Sequence, residues 1–214
     1  MLPEQQLPDP LPNEPMTLLA AWLAEAMARR DQPNPNAVVL ATSVNDRPSA
    51  RVVLCKEIDP HTGAVRFYSN HESRKGRELA ANPRAALVFH WDHLHRQVRL
   101  EGVVDQASSE DSDLYFASRP RDSQIGAHAS RQSEPVESLA ALRAQAEAAR
   151  QRFGSGSVPR PAHWGGYVFW ADAVELWVAG AGRLHERVRW SREISLSCGA
   201  APVAGPWNKT RLQP

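Results

Sequence analysis

Residues 37–70, AVVLATSVNDRPSARVVLCKEIDPHTGAVRFYSN, decide how this chain folds. Three short β-branched runs, AVVLATS (37–43), SARVVLCK (49–56) and AVRFYSN (64–70), are separated by NDRP and DPHTG, two clusters of turn formers. Runs this short, with turns this close, predict strands joined as hairpins. Further along, RAALVFHW (84–91) and RQVRLEGVVDQA (96–107) read as two more strands. YVFWADAVELWVAG (167–180), GRLHERVRW (182–190) and WNKTRLQP (207–214) read as three or four more. Four helices are predicted around them. The first covers 16–30, where Leu19, Trp22, Leu23 and Met27 recur at helical spacing. The others are SRKGRELAAN, capped by Ser73 and ended near Pro83, then SSEDSDLYFASR (108–119), then ESLAALRAQAEAARQRF (137–153), stopped by GSGS. Helices that interrupt hairpins, instead of alternating with single strands, predict an α+β fold with a mostly antiparallel sheet or barrel. No GxGxxG or GxxxxGK[ST] sequence occurs, which disfavours a Rossmann-type dinucleotide fold and a P-loop.

The 214 residues, 42% hydrophobic and 23% charged, suffice for one sizeable core. Pro3, Pro8, Pro10, Pro12 and Pro15 predict an extended, mobile leader over 1–15, leaving 16–214 as a single domain. No apolar run approaches the roughly 18 residues that span a bilayer, and MLPEQQLPDPLPNEP lacks the flanks of a secretory signal. Cys55 and Cys198 are too few for a disulfide framework, so a cytoplasmic protein without a membrane partner is expected. With 25 basic and 24 acidic side chains the formal charge is +1, which removes the main electrostatic argument for nucleic acid. Only Lys56, Lys75 and Lys209 are lysines. The remaining arginines suit planar recognition of phosphate or carboxylate, and a coding bias would produce the same usage.

Four clusters combine cations and hydroxyls beyond what a plain sheet surface requires. In Arg51-Val-Val-Leu-Cys-Lys56, strand alternation puts Arg51 and Cys55 on one face and Lys56 on the other. Such a stretch could lie along a flat ligand with an anionic tail, and by itself reads equally as a strand with solvated ends. Tyr68-Ser69 precede Ser73-Arg74-Lys75 at a helix start, where unpaired N–H groups favour phosphate. A surface helix that begins with basic residues is the other reading. Tyr115 and Arg119 are four apart on a predicted helix, and Pro120 turns the chain so that Ser123 approaches them. In Arg183-Leu-His185-Glu-Arg187, a strand would project Arg183, His185 and Arg187 from one face, just beyond Trp177. His90, Asp92, His93 and His95 suggest a metal site, but nothing completes the ligand set; a polar hairpin tip without metal is expected.

These clusters resemble the pyridoxamine 5'-phosphate oxidase family. The resemblance runs from about Met16 to Pro214 through six ordered blocks: RVVLCK, FYSNHESRKG, RQV, YFASRPRDSQIGAHASRQS, WGGY and RLHER. It implies an FMN-binding split β-barrel and a homodimer, with FMN in a cleft between subunits and the C-terminal segment in the dimer contact. Matching the blocks implies FMN contacts at Arg51, Val52, Val53, Leu54, Cys55, Lys56, Tyr68, Ser69, Arg74 and Lys75. It adds Gln97, Gln132, Ser133, Trp177 and Arg187. The implied substrate-phosphate positions are Lys56, Tyr115, Arg119 and Ser123, and Arg183 with His185 match the pair that sits over the pyridine ring as the catalytic set. The implied reaction oxidises pyridoxamine 5'-phosphate or pyridoxine 5'-phosphate to pyridoxal 5'-phosphate, with O2 reduced to hydrogen peroxide. The alternatives are a related flavin oxidase of phenazine biosynthesis and a non-catalytic flavin- or pyridoxal-phosphate-binding barrel. Three departures stand out: a leader without arginine or tyrosine, Cys55 where an apolar leucine is more usual, and a long loop at 194–207.

Overall fold

The computed structural model describes residues 6–195 and 202–214, and the hairpins expected from residue 37 onward assemble into one nine-stranded sheet. β1 (Ala37–Val44) and β2 (Arg47–Leu54) turn through Asn45 and Asp46, both at positive φ, as a tight two-residue hairpin requires. Only the first half of NDRP is therefore turn. Pro48 lies in β2, at an edge of the sheet where its missing N–H breaks no ladder. β3 (Glu57–Asp59), a short strand not expected from the sequence between Lys56 and the DPHTG turn, pairs with β4 (Ala64–Asn70). β5 (Arg84–Trp91) and β6 (Arg96–Gln106) follow, joined at the polar tip that carries Asp92, His93 and His95.

β7 (Trp164–Val178) organises the sheet. β6 pairs with it along its length, with a register shift at Glu101/Gly102. On its other side, Trp164–Trp170 pair with β4, whereas Ala173–Val178 pair with β8 (Glu186–Ser191). One strand thus serves two partners, and the sheet splits there. β11 (Asn208–Leu212) closes on β8, while β9 (Ile194–Ser195) and β10 (Val203–Ala204) form a separate ribbon. Every pairing is antiparallel, and the sheet is flanked by five α-helices: the α+β class expected.

The core lies on one face of this sheet. Leu40, Leu87, Phe89, Val98, Leu100, Leu176, Val188 and Trp190 are fully buried. α1 (Met16–Arg29) lays Met16, Leu19, Trp22 and Ala26 on them. Burial of such side chains contributes about 1.5–3 kcal/mol each. Glu14 supplies the helix cap that Pro15 lacks, accepting from Met16 N at 2.7 Å. Upstream of it, Leu7 is buried, and Pro12 O accepts from Trp190 Nε1 at 3.1 Å.

A second, smaller core joins α3 (Ser109–Ser118), α4 (Arg121–Ala129) and α5 (Leu139–Phe153) to the start of β7. Ile125 and Phe116 meet Trp164 there. α4 is a helix where the sequence reading expected only a turn after Pro120. Its burial of Ile125, more than its own nine residues, holds it. Two further expectations are corrected. α3 ends at Ser118, so Arg119 is an extended cap residue and does not share a helix face with Tyr115. Ala181–Arg183 is a 3-10 turn with Arg183 at positive φ, and β8 begins only at Glu186. Arg183, His185 and Arg187 therefore do not project from one strand face.

Among the described residues no helix is long and apolar enough to cross a membrane. Cys55 is a free, buried thiol, pushed up to about 12 by burial, so it packs without being reactive. Cys198 and much of the 194–207 loop lie outside the described residues.

Candidate active site

Three of the four clusters meet in one cleft of about 580 Å³ between the β2 edge, β4, α2 (Arg74–Ala81) and the α3–α4 corner. Val52, Val53 and Leu54 line it from β2, and Lys56 from the connection to β3. Tyr68 and Ser69 come from β4 and Lys75 from α2. Tyr115, Arg119 and Ser123 come from the corner, and Gln132 closes it from beyond α4. Lys56, Lys75 and Arg119 are cationic, and no carboxylate lines the wall. None of the three has an ion-pair partner among the described residues. Three uncompensated cations around one cavity repel one another, a cost that an anion in the cavity removes.

Each cation is held in a different way. Ser73 caps α2, accepting from Gly76 N at 3.3 Å, and places Lys75 in the first turn. Lys75 Nζ donates to Ser73 Oγ at 2.9 Å and to Gln132 Oε1, which also accepts from Ser69 Oγ at 3.3 Å. Burial, reinforced by the neighbouring Arg51 charge, pulls Lys75 down to about 8. Arg119 is half-buried, its guanidinium 4.4 Å from the Trp164 ring centroid and 5.4 Å from that of Phe116. Its Nη1 is a buried donor with no partner, and desolvation lowers its pKa. Arg119 lines the carboxylate-free cavity, and a guanidinium in such a wall fits an anionic oxygen. Lys56 Nζ lies 5.8 Å from the Tyr115 ring.

The wall beneath these cations is aromatic. Tyr68 and Tyr115 stack at 3.8 Å, and Trp164 stacks on both at 5.8 and 6.2 Å. The sequence reading committed only Trp177 to a ligand and missed Trp164. The signal was the following pair of glycines: a Cβ on Gly166 would sit 2.9 Å from the Tyr68 ring, so the close approach of β7 to the tyrosine requires glycine. Glu78 was missed as well. Its two oxygens hold Arg51 Nη2 at 2.7 Å and Arg74 Nε at 2.8 Å, and Thr42 Oγ1 donates to it at 2.6 Å. Arg51 and Arg74 thus lie outside the cleft lining, tied to a carboxylate, and Cys55 points into the core. Ser133 lines a neighbouring cleft between α4 and α5 that shares Gln132 with the first.

The fourth cluster lies elsewhere. Gln97, Trp177 and Arg187 are direct cross-strand partners on β6, β7 and β8 and form one row. The His185 ring lies 4.6 Å from Trp177, and its Nδ1 accepts from Gly180 N at 3.2 Å. Arg183 is exposed beside them. Tyr68, on the cleft wall, pairs with Gly166 near the start of β7, whereas this row crosses it at Trp177. Roughly 35 Å of strand separates the two sets at about 3.3 Å per residue.

Fold and cleft together define a class: an antiparallel, split-sheet protein with an aromatic, cation-lined cleft chemically suited to phosphate esters. Comparison with known proteins narrows it. Residues 24–153 match the family model described as pyridoxamine 5'-phosphate oxidase. Residues 164–214 match that of the pyridoxine 5'-phosphate oxidase C-terminal dimerisation region. The chain belongs to the pyridoxamine 5'-phosphate oxidase family, a family of oxidoreductases. The pyridoxine/pyridoxamine 5'-phosphate oxidase of Burkholderia lata is 46% identical, covering 94% of this chain and 90% of that protein. That of Gluconobacter oxydans is 44% identical over 95% and 96%. Among solved structures, PhzG from Burkholderia lata 383, in complex with tetrahydrophenazine-1-carboxylic acid, superposes with a TM-score of 0.86 at 32% identity. It covers 99% of this chain and 98% of its own. A pyridoxamine 5'-phosphate oxidase-related, FMN binding protein from Nostoc punctiforme shares the fold, with a TM-score of 0.69 at 14% identity over 94% and 97%.

Proposed function

We propose that this protein is a cytoplasmic, FMN-dependent oxidase that converts pyridoxamine 5'-phosphate and pyridoxine 5'-phosphate to pyridoxal 5'-phosphate, with O2 as electron acceptor and hydrogen peroxide as co-product. The observation that carries this reading is the carboxylate-free cleft in which Lys56, Lys75 and Arg119 surround the Tyr68–Tyr115–Trp164 stack. Lys75, Ser69 and Gln132 would hold the flavin phosphate, and Arg119 with Lys56, Ser123 and Tyr115 the substrate phosphate. The chemistry that FMN supplies when bound is acceptance of a hydride from the substrate's 4'-carbon and return of both electrons to O2. The chain's own groups position the reactants. The aromatic stack gives planar rings a flat surface. Arg119, packed against Trp164 and Phe116, would set the distance of the substrate's phosphate tail. In the amine case the oxidised carbon–nitrogen bond is hydrolysed to the aldehyde with release of ammonia.

Arg183, His185, Trp177, Arg187 and Gln97 would reach this cleft only from a second copy of the chain, because they stand at the far end of β7 from it. The match of 164–214 to a dimerisation region supports a homodimer whose two sites are each built from both subunits.

A second reading, an oxidase of phenazine biosynthesis, is favoured by the likeness to PhzG. Against it stand two relatives at 46% and 44% identity that are both pyridoxine/pyridoxamine 5'-phosphate oxidases. The oxidase of Burkholderia lata is also the nearer relative, at 46% against 32% for PhzG from that organism. The deciding experiment is peroxide release by the purified, FMN-loaded protein. Both phosphorylated vitamers are expected to support it and tetrahydrophenazine-1-carboxylic acid is not; release with the latter alone would reverse the assignment, and release with none would leave a binding protein.

A further inference from the structure

On the face of the sheet opposite the core, β6, β7 and β8 carry a ladder of charges. Arg99, Glu175 and Arg189 form one row, directly beneath the row of Gln97, Trp177 and Arg187. Glu175 is the anomaly in it. It is 97% buried by relative area (3% exposed), on the face where the neighbouring polar residues are partly open to solvent. A buried carboxylate is retained only where its charge is fully paired. Glu175 Oε1 takes both Nε at 2.9 Å and Nη2 at 2.8 Å from Arg187, a two-point clamp, while Oε2 accepts from Arg99 Nη1 at 3.2 Å. The remaining Arg187 nitrogen, Nη1, donates to Gln213 O at 2.9 Å. All three guanidinium nitrogens of Arg187 are thus spoken for, and its plane is fixed against the strand that carries Trp177.

We infer that Glu175 is a positioning residue for the flavin: it holds the Arg187 guanidinium in the orientation in which it and Trp177 meet the cofactor. The inference rests on the FMN reading above and deepens it. A guanidinium has five N–H donors on a long, flexible stem, and fixing its plane before a ligand arrives removes an ordering cost from binding. Losing the Glu175 charge leaves Arg187 with the Gln213 carbonyl and at most one neutral acceptor, freer to swing toward solvent. The same loss places an unpaired cation beside Arg99 and Arg189, which adds repulsion among three arginines within two rows.

The test is FMN affinity, read by quenching of flavin fluorescence on titration into cofactor-stripped protein, in a double-mutant cycle. Parent, Glu175→Gln, Arg187→Ala and the double variant are compared; Gln keeps the size and one acceptor of Glu and limits unfolding. Both single variants are expected to weaken FMN about tenfold or more, and the double variant no further than Arg187→Ala alone. Additive losses would mean that Glu175 acts on the fold and would overturn the inference. So would parent-like affinity in Glu175→Gln while Arg187→Ala weakens binding. If parent protein takes up no FMN, the flavin reading itself fails, a result distinct from both. Should Glu175→Gln not fold, Glu175→Asp, which retracts the charge by one methylene, is expected to give an intermediate loss that vanishes in the Arg187→Ala background.

Discussion

Replacing Lys75 with methionine should raise the dissociation constant for FMN by about 10- to 150-fold. That is the range expected for losing a charged hydrogen-bond donor worth about 1.5–3 kcal/mol. Methionine matches the apolar stem that packs at the start of α2, so the loss reports the charge. Lys75 is nine-tenths buried and has no carboxylate partner among the described residues, and its two acceptors are neutral oxygens of Ser73 and Gln132. Arg74 lies next to it in sequence but is largely exposed and already paired to Glu78. Arg74→Ala should therefore cost only a few-fold, in keeping with the small worth of exposed ion pairs. A pH series separates charge from shape. Lys75 has been pulled down to about 8, whereas a phosphate monoester loses its second proton near pH 6. The favourable pairing of cation with dianion is strongest between those values and fades as pH rises through about 8. Parent affinity should fall as pH rises through about 8, and the Lys75→Met affinity should stay flat there. Equal affinities for the two proteins at pH 7 would remove Lys75 from the phosphate site.

Arg119→Ala should raise KM for pyridoxamine 5'-phosphate by about 10- to 150-fold, with bound FMN unchanged and kcat altered far less. Among the described residues, the side chain makes no hydrogen bond. It packs against the Trp164 and Phe116 rings, with Nη1 buried and unsatisfied. Losing a charged donor to a phosphate costs about 1.5–3 kcal/mol of binding. Truncation also removes the packing on the two rings, so the KM comparison is made on protein shown to be folded and flavin-loaded. An unchanged KM, measured with flavin fully bound, would take Arg119 out of the substrate site. A matching loss of FMN would move it from the substrate phosphate to the flavin phosphate.

Local chemistry was legible in the sequence and relative placement was not. The hairpins at 37–70, the Ser73 cap and the cations of SRKG and RPRDS could be read because turn formers, caps and charge act within a few residues. That Lys75, Arg119 and Lys56 share one cavity depends on α4 bringing Gln132 back over β4, and α4 carries a weak signal of its own: nine residues with a glycine inside. RLHER misled for a related reason. Its alternating cations have the period of a strand, but the backbone of Gly180 packs against Leu184 and the turn at 181–183 breaks the period before His185. Trp164 was hidden among seven tryptophans, and only the contact of Gly166 with Tyr68 reveals its place. Glu78 and Glu175 looked like ordinary acids because their roles come from strand register and helix docking, which no short window of sequence contains.

A homodimer in which each site takes its phosphate-binding cleft from one chain and its Gln97–Trp177–Arg187 row from the other has a sharp signature in a mixed dimer, purified through two different tags, that joins a Lys75→Met chain to an Arg187→Ala chain. One site then combines an intact cleft with an intact row, and the other carries both defects. FMN titration should give one equivalent per dimer bound at parent affinity and a second bound far more weakly than in either homodimer. Two equivalents bound with the single-variant affinities would mean that cleft and row serve sites within one chain, and would rule out the shared site.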